Sequence, residues 1–154
     1  MKTKKYIGTV LAISSLLLLA GCGASGGTDE GEGPKVQETE IVIEVAGQSF
    51  SARLYDNDAA AALLEKLPMV LDMEEMNGNE KYFFMEDALP TDTEDIGEIQ
   101  TGDIMLYGDD CLVLFFQDFF TSYRYTRIGY IEDREGFADA LSDGTVQIGF
   151  YLEG

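Results

Sequence analysis

Residues 102–120 read GDIMLYGDDCLVLFFQDFF. The spacing predicts two strands, residues 104–107 and 111–116, joined by the tight turn Gly108-Asp109-Asp110. Side chains alternate between the faces of a strand. Cys111, Val113 and Phe115 therefore point one way, and Leu112, Leu114 and Phe116 the other. Neither set is polar. A strand that is apolar on both faces is normally covered on both, in the middle of a sheet or barrel. The flanking segments each carry one apolar face and are expected to pack around it.

The chain has 154 residues, 45% of them hydrophobic, which suits one domain with one core. It carries 10 basic and 29 acidic residues, a net charge of −19, and contains neither His nor Trp. Without His there is no Ser-His or Cys-His nucleophile pair, no His-ligated zinc and no imidazole acid or base. Catalysis would have to rest on carboxylates, Tyr, Lys, Arg or the thiol of Cys111. An acidic chain without a basic stripe repels phosphates, which argues against a nucleic-acid partner.

The chain opens with Lys2, Lys4 and Lys5, followed by an apolar run from Val10 to Ala20 broken by Ser14 and Ser15. That run is too short to span a bilayer and reads as an export signal over residues 1–21. It ends in Leu19-Ala20-Gly21-Cys22, which resembles the bacterial lipobox. The resemblance implies that Cys22 becomes a lipidated N-terminus, extracytoplasmic and anchored to the cell membrane. Loss of residues 1–21 removes three lysines and no acid, leaving 7 basic against 29 acidic residues and a net charge of −22. Residues 22–38, rich in Gly and acid, then form a flexible tether spanning ~20–25 Å. With Cys22 modified, Cys111 has no intrachain disulfide partner and reads as a buried apolar residue.

The remaining domain, residues 39–154, is punctuated by turns. Residues 39–55 read as a hairpin about Gly47-Gln48, with Ile41, Ile43, Val45, Phe50, Ala52 and Leu54 inward. Asp56-Asn57-Asp58 caps a helix over residues 59–67, which Pro68 ends. As a calcium loop, that triplet lacks the Gly and Glu that such a loop requires. Residues 69–76 form a strand with Val70 and Leu71 as its inward candidates, and Asn77-Gly78-Asn79 turns into a strand over residues 81–85. Residues 86–100 are acidic and irregular, and read as a solvated loop without metal-ligand spacing. After the central hairpin come a strand over residues 125–131, a short helix capped by Asp133 with Phe137, Ala140 and Leu141 on one face, and a stop at Gly144. The last strand, residues 145–152, turns Val146, Ile148 and Phe150 inward and Gln147, Gly149 and Tyr151 outward.

Phe119, Phe120, Tyr123 and Tyr125 interleave with Arg124 and Arg127. With Tyr107 across the hairpin, they form a candidate ligand-binding patch in which guanidinium groups stack on rings. The competing reading is that some of these rings close the end of a barrel.

Seven or eight strands, two short helices and no long crossover predict a mainly β fold, a closed antiparallel barrel. Leu54-Tyr55-Asp56-Asn57, the helix ending Leu67-Pro68, Gly78 to Phe83, Gly102-Asp103-Ile104, Leu114-Phe115-Phe116 with Asp118, and Arg127-Ile128-Gly129 follow in order. In that order and spacing the chain resembles the cyclophilin-like family of small bacterial proteins. The resemblance implies an eight-stranded cyclophilin-type barrel with a capping helix at each end. True cyclophilins are peptidyl-prolyl isomerases with a Phe-His-Arg strand, which this chain lacks. No catalytic residue, metal or cofactor is therefore carried over. The expected function is a non-catalytic, lipid-anchored binding module for a peptide, small ligand or protein partner. A degenerate isomerase is the alternative.

Overall fold

The computed structural model describes residues 37–141 and 144–154. Residues 1–36, with the export signal, Cys22 and most of the tether, lie outside the described residues. The elements run β1 (Thr39–Val45), β2 (Gln48–Leu54), α1 (Asp58–Leu64), β3 (Met69–Met76), β4 (Glu80–Phe84), β5 (Glu94–Asp95), β6 (Glu98–Ile99), β7 (Asp103–Tyr107), β8 (Cys111–Phe115), β9 (Phe119–Phe120), β10 (Arg124–Ile131), α2 (Phe137–Ala140) and β11 (Val146–Leu152).

The strands form a ring in the order β2, β1, β11, β3, β4, β8, β7, β10. The ring closes because β10 pairs back onto β2, with Gly129 opposite Leu54 and Ile131 opposite Ala52. The result is a closed eight-stranded antiparallel barrel. β5 extends the sheet beside β10, while β6 and β9 pair separately.

Asn57 caps α1: its Oδ1 accepts from the Ala60 N–H at 2.8 Å, and its Nδ2 donates to the Arg127 carbonyl at 2.9 Å. One side chain thus starts the helix and ties it to β10, at the Leu54 end of β2. The helix stops at Leu64, three residues before the expected end. Lys66 and Leu67 bond to carbonyls three residues back, tightening the chain into a turn. At the other end of the barrel, Phe137 of α2 meets Phe50 edge-to-face at 5.2 Å. Asp133 does not cap this helix. Its carboxylate accepts from the Glu135 N–H at 3.1 Å, and Gly136 holds the N-cap position with φ +76°. Val70 is half exposed and Leu71 buried, because Leu71 pairs with inward-facing Ile148.

The core is two-sided, as the central strand requires. Leu112 and Leu114 face the barrel interior with Ile41, Ile43, Leu54, Leu63, Ile148 and Phe150. Cys111, Val113 and Phe115 face outward into a second buried cluster with Ile99, Met105 and Tyr125. Each fully buried Leu, Val or Phe contributes about 1.5–3 kcal/mol, so a bare outer face on β8 would forfeit several such terms. The cover comes partly from the acidic stretch expected to be a solvated loop. Its carboxylates are exposed, but Ile99 is buried in the outer cluster, Ile96 packs on it, and Leu89 joins the inner core.

Candidate functional site

The outer cluster is not fully roofed. Beside it, the outer wall of β4 and β8 opens into a groove of about 420 Å³. Register decides what lines it. Glu80, Tyr82 and Phe84 of β4 pair with Phe115, Val113 and Cys111 of β8, so all six side chains share the outer face. Tyr107 follows from β7, opposite Cys111. The far bank is residues 119–123. Phe119 pairs with Ile99 and packs on Phe115 at 5.7 Å between ring centroids. The Thr121 N–H donates to the Gly97 carbonyl at 2.8 Å, and Thr121 Oγ1 accepts from the Tyr123 N–H at 3.0 Å. Asp118, just before them, accepts from the backbone and hydroxyl of Thr101 at 2.6 and 2.9 Å. Those bonds hold its carboxyl below the usual range, the backbone N–H contributing most.

The rings brace one another. Tyr125 sits against Phe115 at 5.5 Å and Tyr107 at 5.5 Å, and Tyr107 meets Tyr123 edge-on at 6.0 Å. Tyr82 meets Phe84 at 5.7 Å. Such edge and tilted contacts contribute about 0.5–1.5 kcal/mol each beyond burial. Even so, Phe120 is 82% exposed, Tyr123 62%, Phe84 61% and Tyr107 47%.

Of the residues expected to form a patch, Tyr107, Phe119, Phe120 and Tyr123 line this groove, and Tyr125 lies at its base. Arg124 and Arg127 do not line it. Arg124 lies 3.4 Å from Asp95 and donates to the Thr93 carbonyl at 2.8 Å, while Arg127 pairs with Glu94 at 2.9 Å. Strand β5 brings those carboxylates alongside β10. Tyr82, Phe84, Asn79 and Glu80 line the groove without having been singled out from sequence. The alternation of Glu80, Tyr82 and Phe84 was a usable signal, but their facing depends on pairing with β8.

The lining is mostly apolar and aromatic, with the neutral polar groups of Asn77, Asn79, Thr121 and Ser122 and one carboxylate, Glu80. Burial, aided by the charges of Glu80 and Asp110, pushes the Cys111 thiol up to about 11, so it stays protonated near neutral pH. Burial also raises the Tyr125 hydroxyl and the Glu80 carboxyl. Among the described residues, no cluster of His, Cys, Asp or Glu is arranged to hold a metal ion.

No functionally curated protein matches the chain. Among solved structures, the solution structure of a hypothetical protein from Archaeoglobus fulgidus is similar, at 20% identity and a TM-score of 0.55. The alignment covers 79% of this chain and 99% of that one, and at such identity it speaks for the fold alone. The sequence profile described as the cyclophilin-like family matches residues 43–151. That match runs from within β1 to within β11, around the whole closed ring, and the chain belongs to the cyclophilin-like family.

Proposed function

We propose that this protein is a lipid-anchored, extracytoplasmic binding module whose outer-wall groove holds an extended polypeptide segment. The observation that carries the reading is the ring of half-exposed to exposed aromatics, Phe84, Tyr107, Phe120 and Tyr123, around a groove of about 420 Å³. Grooves of roughly 300–1,000 Å³ with apolar walls and few polar groups are typical ligand sites. Contiguous exposed apolar surface of this kind marks an interaction site. A peptide is the fitting occupant because the groove is open and leaves these rings half-exposed to exposed, surface that an extended segment can cover. The anchor rests on Leu19-Ala20-Gly21-Cys22, and the surplus of acid on the mature chain favours a domain standing off an anionic surface.

The isomerase alternative asks for an arginine beside the bound prolyl bond. The two arginines nearest in sequence to the groove are engaged with Asp95 and Glu94. Binding without turnover is therefore the better-supported reading.

Two measurements test it. Cys22→Ser is expected to move the protein from the membrane fraction to the soluble fraction; unchanged membrane association removes the anchor from the proposal. On an array of unstructured peptides, wild type is expected to bind a subset, and Phe120→Ala/Tyr123→Ala to weaken that binding by about tenfold or more. Both side chains are exposed, so stability should fall by no more than the Tyr123–Tyr107 ring contact supplies, about 0.5–1.5 kcal/mol. Equal binding by wild type and the double variant rules the groove out.

A further inference from the structure

The groove has a chemical polarity that its rings alone do not give. Among its lining residues, Glu80 is the one carboxylate, and none is Lys or Arg. Glu80 is half-buried on the outer face of β4, opposite Phe115. No hydrogen bond or cation is paired with it among the described residues, and burial alone raises its carboxyl. Its charge in turn helps raise both Cys111 and Tyr125, which places it close to the groove's base. Next to it, the Oδ1 of Asn79 is buried without a partner. A buried acceptor left unpaired is unfavourable, and so is a half-desolvated carboxylate without a partner. Asn79 lines the same groove as Glu80, so turning its amide to face a ligand there would add a second acceptor.

Everything around these acceptors favours a positive ligand. The faces of Tyr82, Phe84, Tyr107 and Tyr123 carry negative quadrupoles, which attract an ammonium or guanidinium. The nearby cations of the barrel are engaged elsewhere, Arg124 with Asp95, Arg127 with Glu94 and Lys81 with Glu75. The net charge of −19 steers cations toward the domain. A neutral apolar ligand would fit the rings but leave Glu80 further desolvated. A basic one supplies the missing partner.

We infer that the groove selects a polypeptide segment carrying a Lys or Arg between apolar residues, the basic side chain running along the rings to Glu80 and the Asn79 amide. This rests on the groove being a peptide site. A lone alkylamine would occupy only part of about 420 Å³ and leave Phe120 and Tyr123 uncovered. A peptide lays its flanking apolar residues on those rings, which commits the site to polypeptide rather than a free amine.

The test uses the full chain in detergent micelles and three probes: acetyl-Gly-Phe-Lys-Phe-Gly-amide, its norleucine counterpart, and n-butylamine. Wild type is expected to bind the lysine peptide about tenfold more tightly than the norleucine peptide, and n-butylamine far more weakly than either. Glu80→Gln is expected to bring the two peptides within about twofold of each other. Equal wild-type affinities for the two peptides overturn the selection for a cation and leave the groove standing as an apolar site. Binding of neither peptide removes the peptide groove itself. Binding of n-butylamine as tight as that of the lysine peptide overturns the choice of polypeptide. Because the wild-type comparison decides by itself, the inference stays testable even if Glu80→Gln folds poorly.

Discussion

Lys81→Ala is expected to lower the unfolding free energy by about 2–4 kcal/mol, chiefly through the gap left by its buried stem, read as a fall in the urea midpoint with an unchanged slope. Lys81 sits on β4 with its side chain turned into the barrel, opposite Leu114, and is fully buried. Its ammonium donates to Glu75 at 3.1 Å and to the Gly144 carbonyl at 2.7 Å, and lies 5.5 Å from the centre of the Phe116 ring. The Gly144 N–H donates to the same Glu75 oxygen at 3.1 Å. These contacts tie β3, β4 and the approach to β11 at one end of the barrel. Removing the lysine leaves Glu75 and the Gly144 carbonyl without this donor and opens a gap beside Phe116. Lys81→Met keeps most of the stem's volume and should lose less than Lys81→Ala; the difference between them measures packing, and the remainder the charge. A Lys81→Met protein as stable as wild type would show that the ion pair, buried at Lys81 but not at Glu75, contributes nothing net.

The same pair sets an acid response. Hydrogen bonding from Lys81, with help from the Gly144 N–H, holds the Glu75 carboxyl below its ordinary range. A carboxyl lowered in the folded state stabilises above its unfolded value and loses that contribution as pH falls through its folded value. Wild type should therefore lose stability across that acid window more steeply than Lys81→Met, in which Glu75 has lost its main partner.

Lys81 also marks where sequence reasoning ran out. Lysine is almost never fully buried unless paired, so a Lys in a predicted strand reads as a surface residue. Its partners come from the neighbouring strand and from Gly144, 63 positions away, and no local period reports them. What was legible is what alternation and turns encode. The two-faced apolar run of β8, the hairpin of β1 and β2, and the cap at Asn57 all follow from side-chain period or side-chain chemistry. The outer cover was not legible. β6 and β9 are two-residue strands, too short to show any period, and Ile99 lay hidden in an acidic run. The site was half legible for a related reason. Phe119, Phe120 and Tyr123 stand out by composition, but Tyr82 and Phe84 join them only through the register of β4 on β8. A one-residue slip in that register would turn both rings into the barrel.

Gly129→Ala is expected to be at least as damaging, by about 3 kcal/mol or more, because it strikes the seam that turns a sheet into a barrel. Gly129 lies where β10 pairs on one side with Ile104 of β7 and on the other with Leu54 of β2, beside a break in register after Arg127. A Cβ there would collide with the Arg53 carbonyl oxygen and stand 3.0 Å from its carbon and 3.1 Å from the Leu54 Cα. All three are backbone atoms, so neither strand can yield by turning a side chain. Only separation of β10 from β2 makes room, and that seam is short. It consists of Gly129, Tyr130 and Ile131 opposite Leu54, Arg53 and Ala52, flanked by the Tyr55 N–H on the Ile128 carbonyl and the Glu132 N–H on the Ser51 carbonyl, both at 2.9 Å. Amide exchange at Tyr55 and Glu132 should accelerate in Gly129→Ala before exchange in β8 does. Gly149→Ala supplies the comparison. The atoms nearest its Cβ would all belong to the Tyr151 side chain, at 2.5–2.9 Å, and that half-buried side chain can swing aside. The change should then stay within about 1 kcal/mol of wild type. If the two alanine variants unfold at the same midpoint, closure at Gly129 is not what holds the barrel together.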